Sequence, residues 1–453
     1  MWIFLLLLVP SSWAFHLQEP ALPQEVCAEL EARLQEGPLG YLPESDESFP
    51  DTERIQAALN NCSGEYVRLV KGEAGNAFLS GPLTMKKGVS LWIDEGVTLF
   101  ASRNPRDFDK DPGACGILAA TSSGCHPLIS VRSNNSNIVG DGVIDGTGGQ
   151  KMLGQDETWW ELALRAMYDP DNRNQSCLRL IVARNSWNFT LYRVRLHNSP
   201  NFHFVAQLVT NVVVWGVKVD TPSPAYPDQP HARNTDAFDP YGYNIFFYDC
   251  YVNTGDDNIA IKGGAGPTDN VLVENCHFYK GHGMSIGSET KAGVTNVTVR
   301  KLCINGADNG LRIKSDSTKG GVVAGIRYED VCILNTSAPL VFETYYTDMQ
   351  GPLIPDFHDI QVVNAHIVSS DQRQVVFRGY NSSYPVKVRL DNVVSDVSLF
   401  NITASDAEIT FGPREVINIP LETDADVNVL VRNYASRKSE PLDCNQLCVP
   451  FPR

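Results

Sequence analysis

From Asn188 onward, short runs rich in Val, Ile, Phe and Tyr recur, each opened by a small polar residue or glycine. The openings fall at Asn188, Asn211, Asn244, Asn270, Asn296, Gly325 and Asp359, separated by 23, 33, 26, 26, 29 and 34 residues. The clearest copies read NIFFYDCYV, NVLVENCHF, NVTVRKLCI and GIRYEDVCI. Helical spacing is missing, and β-branched and aromatic residues dominate, so each run predicts a strand. A unit this short cannot bury its own apolar side and must stack on its neighbours. The expected fold is therefore all-β: a single-domain, right-handed parallel β-helix with one coil per repeat.

Alignment of the copies sets a register. Ile245, Phe247, Cys250 and Val252 match Val271, Val273, Cys276 and Phe278 one coil later, then Val297, Val299, Leu302 and Ile304. The period-two alternation points these side chains inward, with a step where the strand bends. Cys250 and Cys276 then share a core column with Leu302 and Val331 and act as small hydrophobes. Cys303 and Cys332 fall on the other face, where a bond between adjacent coils is geometrically open. Upstream, residues 24–35 and 51–60 read as two amphipathic helices capping the solenoid, the second with Asp51 as N-cap. Residues 88–100 and 138–149 read as early coils, and GDGVIDGTGG at Gly140 as tight turns.

The ends and the composition narrow the class. Residues 1–14, MWIFLLLLVPSSWA, have an apolar stretch too short for a membrane and a small-x-small site at Ser12-Trp13-Ala14. That pattern predicts a signal peptide, a secreted chain and a mature domain over 15–453. The 53 acidic and 37 basic residues give a formal charge of −16, which argues against a nucleic-acid partner. No later run suits a membrane helix, and a monomer is expected. Eleven cysteines leave at least one unpaired; Cys115 with Cys125, Cys444 with Cys448, and Cys27 with Cys62 are the expected staples. Scattered cysteines argue against a zinc site, and eight Asn-x-Ser/Thr sequons offer glycosylation sites.

Four polar phrases exceed what a solenoid needs: Asn234-Thr235-Asp236, Gly255-Asp256-Asp257, Gly281-His282-Gly283 and Arg312-Ile313-Lys314. Asp256 and His282 each lie twelve residues after their coil openings, Asn244 and Asn270. Lys314 lies eighteen after Asn296, matching Lys262 and Ser288 in the preceding coils. Singly, each phrase reads as a turn former, a loop histidine or a solvated charged face. Together they gather three carboxylates, an imidazole and two cations on one lateral face. Adjacent carboxylates repel, which raises one toward the range of a general acid. Glycoside hydrolysis uses such a set: one carboxyl protonates the leaving oxygen while another serves the attacking water or the sugar carbon.

In this order and spacing, NTD, GDD, GHG and RIK resemble the polygalacturonases of glycoside hydrolase family 28. The resemblance runs over most of the mature chain and is strongest from Asn234 to Tyr346, with GHGMSIGSE and GLRIKS its most specific phrases. It implies inverting hydrolysis of α-1,4-galacturonosyl bonds in de-esterified pectin, with no metal or other cofactor. By motif, Asp256 resembles the general acid, and Asp236 with Asp257 the pair that holds and deprotonates the water. His282 would support the acid or contact the substrate. Arg312 and Lys314 would grip the carboxylate next to the cut, beside Asn234 and the downstream aromatic Tyr345, which Tyr346 adjoins. Inversion leads us to expect carboxyl separations of about 6.5–9.5 Å across the water. Ala237 replaces the glycine usual after NTD, and its methyl is expected at the cleft. The proline-rich segment 221–233 is expected to form a cleft wall that influences endo against exo cutting. Pectate lyases share solenoid and substrate but need calcium and an arginine base. Rhamnogalacturonan hydrolases would have less use for the RIK cations. A non-catalytic pectin-binding β-helix is the remaining reading.

Overall fold

The structure, a computed structural model, describes residues 18–171, 173–227, 232–368, 373–396 and 400–452. The expected signal peptide lies outside the described residues. The chain winds into a right-handed parallel β-helix whose strands form one 31-stranded parallel network. The inward column runs Val212, Ile245, Val271, Val297, Ile326, Ile360, Val388 and Ile409, each paired with the next coil. A second column runs Val214, Phe247, Val273, Val299, Tyr328, Val362 and Leu390 by the same pairings, and both are buried. Phe238 packs on Phe247, and Phe342 lies between Tyr328 and Phe377.

The polar residue that opens each repeat has a backbone reason. Asn188, Asn211, Asn244, Asn270, Asn296 and Asp359 all have φ between 50° and 59°, and Gly325 has φ 68°. This left-handed bend is tolerated best by glycine, asparagine and aspartate. The strand step after Tyr248 is a similar bend, at Asp249, and recurs at Asn275, Lys301 and Asp330. Cys250 and Cys276 lie inward of it, fully buried and free, in the column of Leu302 and Val331. Gly140 turns the GDG corner at φ 119°; a Cβ there would meet the Ile93 carbonyl oxygen at 1.9 Å.

The N-terminal region differs from the expectation. Residues 24–35 form no helix; Val26–Glu31 is a strand, paired in parallel with Tyr66–Val70. The reason is the spacing of Ala28, Leu30, Ala32 and Leu34, a period of two that faces the core as a strand does. The second element is the helix Thr52–Asn61, which buries Ile55 and Leu59 on the solenoid. Asp51 occupies its N-cap position without capping it. The carboxylate instead receives Arg54 and the Leu79 amide. A further helix, Trp159–Met167, was not anticipated, although Thr158 and Glu161 form a capping box at its start.

Cys27–Cys62 and Cys115–Cys125 pair as expected. Cys444 and Cys448 do not bond each other, nor does Cys303 bond Cys332. Cys303 joins Cys448 and Cys332 joins Cys444. Cys303 and Cys332 are register neighbours on successive coils, so a short C-terminal helix, Cys444–Leu447, is pinned to both. Cys177 is the third free thiol. Ala237 is buried within the core, so its methyl points into the solenoid and not at the cleft. Part of segment 221–233 is described: Tyr226 and Ala232 pack on Trp160, beside Tyr41.

Candidate active site

One sheet of the solenoid carries the four polar phrases. Its strands pair through Phe238, Ile259, Met284, Leu311 and Leu340, all inward. Side chains one position on face outward, placing Asp239, Ser285 and Arg312 in one row. The corners preceding the strands carry Asp236, Asp256, Asp257 and His282. Lys314 pairs in register with Gly287, one residue away from the expected Ser288. The difference arises because the intervening loops change length by one residue while the inward pattern holds.

Asp256 is the hub. Its Oδ2 accepts the Asn234 amide at 3.1 Å and its Oδ1 the Asp257 amide at 2.9 Å. His282 Nδ1 lies 3.0 Å from Oδ1, and His282 Nε2 lies 3.4 Å from Asp308 Oδ2. Glycines on both sides of His282 permit this approach. Gly281 has φ 132°, and a Cβ on it would meet Asn258 Oδ1 and the Asp256 carbonyl oxygen at 2.7 Å. The Asn258 amide spans the gap, accepting the Gly283 N–H and donating to the Lys280 carbonyl.

Asp257 is held from the next coils. Ser285 Oγ donates to its Oδ1 and Lys314 Nζ to its Oδ2, both at 2.7 Å. Asp236 is buried, and its Oδ1 has no partner among the described residues. Its carbonyl oxygen is fixed by the amide of the buried His203 at 2.9 Å. Asp239 also sits buried, with neither oxygen hydrogen-bonded and Lys262 Nζ at 3.5 Å. Lys262 reaches Glu289 as well, at 3.3 Å.

The electrostatics follow from this packing. Burial, then the charges of Asp256, Asp239 and Asp257, push Asp236 well above the usual carboxylate range. Burial raises Asp239 to about 7 against the pull of Lys262. Burial would also raise Asp256, but the hydrogen bond and charge of His282, with Lys314 and the Asn234 amide, outweigh it and hold Asp256 low. His282 is correspondingly raised, Asp256 overcoming the effect of burial. The cluster thus favours a proton on Asp236 and on His282 over one on Asp256.

Asp256, Asp257 and His282 bring one ligand atom each within 4.8 Å, a grouping that could hold a cation. The Lys314 ammonium already supplies positive charge at Asp257, and His282 faces Asp256 as its partner, so the donors suit proton handling. The nearest Asp256 and Asp257 oxygens are thereby closer than the expected carboxyl separation. Arg312 has a buried Nε without a partner and forms no ion pair among the described residues. The ring beside the cations is Tyr346, 5.2 Å from the Arg312 guanidinium and 5.1 Å from Lys314 Nζ. Tyr345 turns away, stacked on Tyr380 and donating to its carbonyl oxygen at 2.6 Å. Asn234 Oδ1 accepts from Gln175 Nε2 at 2.7 Å, on the small antiparallel strand pair Ile117–Ala119 and Asn174–Ser176. Asp239, Ser285 and Asn258 were not singled out as site residues from the sequence; the serine of GHGMSIG, in a phrase already noted, was the available signal.

The glycosyl hydrolases family 28 profile matches residues 69–410. The chain belongs to that family. This family 28 glycoside hydrolase is 42% identical over 438 residues to a polygalacturonase of Ralstonia solanacearum, covering 86% of this chain and 82% of the relative. It is 44% identical over 352 residues to an endo-polygalacturonase of Pectobacterium parmentieri, covering 77% and 84%. The polygalacturonase structure from Erwinia carotovora superposes with a TM-score of 0.78 at 40% identity, over 87% of this chain and 99% of that one.

Proposed function

We propose that this glycoside hydrolase is an endo-acting polygalacturonase that cuts α-1,4-galacturonosyl bonds with inversion, through Asp256, Asp236, Asp257 and His282. The observation that carries the reading is the union of the Asp256–His282 pair with the Asp257–Lys314 pair on one face, next to Arg312 and Tyr346. Homologues named endo-polygalacturonase over most of their length support it.

Asp256 must carry a proton when the bond breaks. Bound galacturonate excludes water and adds negative charge, and both effects raise a carboxylate. The proton held against Asp256 by His282 then passes to Asp256 and on to the glycosidic oxygen as the C1–O bond breaks. Asp236 is raised partly by the charge of Asp256, so protonating Asp256 lowers it again and lets it release its own proton to solvent. Asp236, with its unpartnered oxygen, and Asp257 then orient the water that attacks C1 from the opposite face and accept its proton. Lys314 fixes Asp257 and, with Arg312, holds the galacturonate carboxylate. The arginine fork offers this bidentately. Tyr346, in place of Tyr345, supplies the aromatic surface. The acting protein is a secreted monomer with a single β-helix domain over 15–453, in keeping with the acidic charge and the sequence of residues 1–14. Among the described residues no helix is long and apolar enough to cross a membrane.

A time course of product lengths from polygalacturonic acid tests the reading. Mixed oligomers should come first. Monomer alone would contradict endo cutting, and unsaturated, ultraviolet-absorbing products would contradict hydrolysis altogether.

A further inference from the structure

Beneath the acid corners, one column of the solenoid breaks its own apolar pattern. One position before the paired residues Ile129, Ile181, Phe204, Phe238, Ile259 and Met284 stand Leu128, Leu180, His203, Ala237, Asn258 and Gly283. Two of these are polar and fully buried, and each lies under a catalytic corner. Asn258 holds the Gly283 amide beside His282, and His203 holds Asp236. A buried imidazole following two leucines is unfavourable unless both ring nitrogens find partners. In His203 both do.

Those partners fix the tautomer. Nδ1 lies 3.2 Å from the Asp236 carbonyl oxygen, which can only accept, so Nδ1 carries the proton. Nε2 is then the acceptor and takes the Thr221 hydroxyl at 2.8 Å, while that hydroxyl accepts the Asn198 amide at 2.7 Å. Burial holds the imidazole down to about 4, so it stays neutral and keeps this arrangement at neutral pH. With its main-chain amide on the same carbonyl at 2.9 Å, His203 gives Asp236 two donors. The ring thereby ties together the two ends of one connection. Thr221 directly follows the strand Lys218–Asp220, and Asp236 stands just before the strand Phe238–Tyr248.

One carboxylate depends on that tie more than the others. Asp256 is aimed by His282, and Asp257 by Lys314 and Ser285. Asp236 Oδ1 accepts no hydrogen bond among the described residues, so the carboxylate inherits its direction from its main chain. We propose that His203 is a positioning residue for the reaction: its Nδ1–H holds the Asp236 corner so that this carboxylate meets the attacking water in line with the sugar carbon. The inference rests on the polygalacturonase reading and adds to it a side chain buried out of reach of the substrate.

The test addresses the two ring nitrogens separately. An asparagine amide reaches the place of Nδ1 and a glutamine amide that of Nε2. His203→Asn therefore keeps the bond to Asp236, and His203→Gln keeps only the bond to Thr221. His203→Leu removes both and places in the column the residue that the two preceding coils already carry. On polygalacturonate, H203Q and H203L should lose about 10²-fold in kcat, the scale of a catalytic group displaced by ~1 Å, with KM near wild type. H203N should recover most of kcat, although thermal melts should show it destabilised as much as H203Q. A purely structural role would make kcat follow the melts instead. An H203N that unfolds or matches H203L in kcat, an H203L that turns over like wild type, or a loss carried by KM would overturn the positioning role while leaving hydrolysis intact. Asp236→Asn is assayed alongside: wild-type turnover in D236N, or a wild type that leaves polygalacturonate uncut, would overturn the underlying reading and this inference with it.

Discussion

Two polar columns run along the same coils of this solenoid and do opposite things. On one corner Asn211 donates to Asn188, Asn244 to Asn211 and Asn270 to Asn244, at 2.8–3.0 Å. Every rung is the same neutral amide, at once donor and acceptor, so stacking one coil on the next satisfies each. On the catalytic face the stacked groups are unlike. Asp236 and Asp239 are buried with oxygens that accept no hydrogen bond among the described residues, while Asp256 and Asp257 are claimed by His282 and Lys314 from later coils. The same repeat geometry yields a satisfied ladder in one place and competing charges in the other. Frustration of this kind shifts proton affinities, and the ladder has none to shift.

The contrast can be broken most strongly at its hub. Replacing Asp256 with asparagine should lower kcat about 10³-fold, the scale of a general acid, while polygalacturonate still binds. Steady-state kinetics beside a binding measurement would check it. Asp236→Asn should show the opposite signs in two assays: large loss of turnover, and a stability gain of ~1–3 kcal/mol at neutral pH. The sign follows from linkage. Folded Asp236 binds its proton more tightly than the unfolded chain does, so stability falls as pH rises from the unfolded value near 4 through the raised folded value. Asp239 and the buried Asp145, each raised to about 7, add to the same fall. Denaturant midpoints from pH 4 to 8 should therefore decline less in D236N than in wild type.

In the ladder, Asn244→Ala should cost ~1–2 kcal/mol, from lost rungs and a strained left-handed alanine, without altering turnover. Thermal melts together with kcat would show whether the two columns are functionally separate. The smallest effect belongs to the aromatic pair. Tyr346→Leu should raise KM a few-fold and Tyr345→Leu should leave KM near wild type, as expected of cation–π contacts of about 1 kcal/mol.

Much of this was legible because the solenoid repeats. Once the inward column Ile245–Val271–Val297 is read, the coils stack, and the acids of GDD approach the histidine of GHG with no further information. What escaped reading was non-repeating. Residues 24–35 carry both a helical and a period-two reading, and only pairing with Tyr66–Val70 decides for the strand. The C-terminal cysteines sit four apart in sequence, yet their partners lie 112 and 145 residues upstream, on a face the repeat leaves free. Lys314 slipped by one position because loop lengths vary between coils. Asp239 was overlooked because on its strand it looks like any outward polar residue; only its burial beneath Lys262 distinguishes it. The choice between Tyr345 and Tyr346 turns on which side of one strand end faces the cations, and that side is set by Tyr380.

The claim beneath all of this is that acids from successive coils act together on one bond, with water entering opposite the departing sugar. The proximity of the Asp256 and Asp257 oxygens makes the stereochemistry of that step the most direct test. Proton NMR of polygalacturonate, recorded within seconds of adding enzyme and before mutarotation, reads the anomer first released. Inversion releases the β-anomer first from the α-linked chain; initial release of the α-anomer would contradict it.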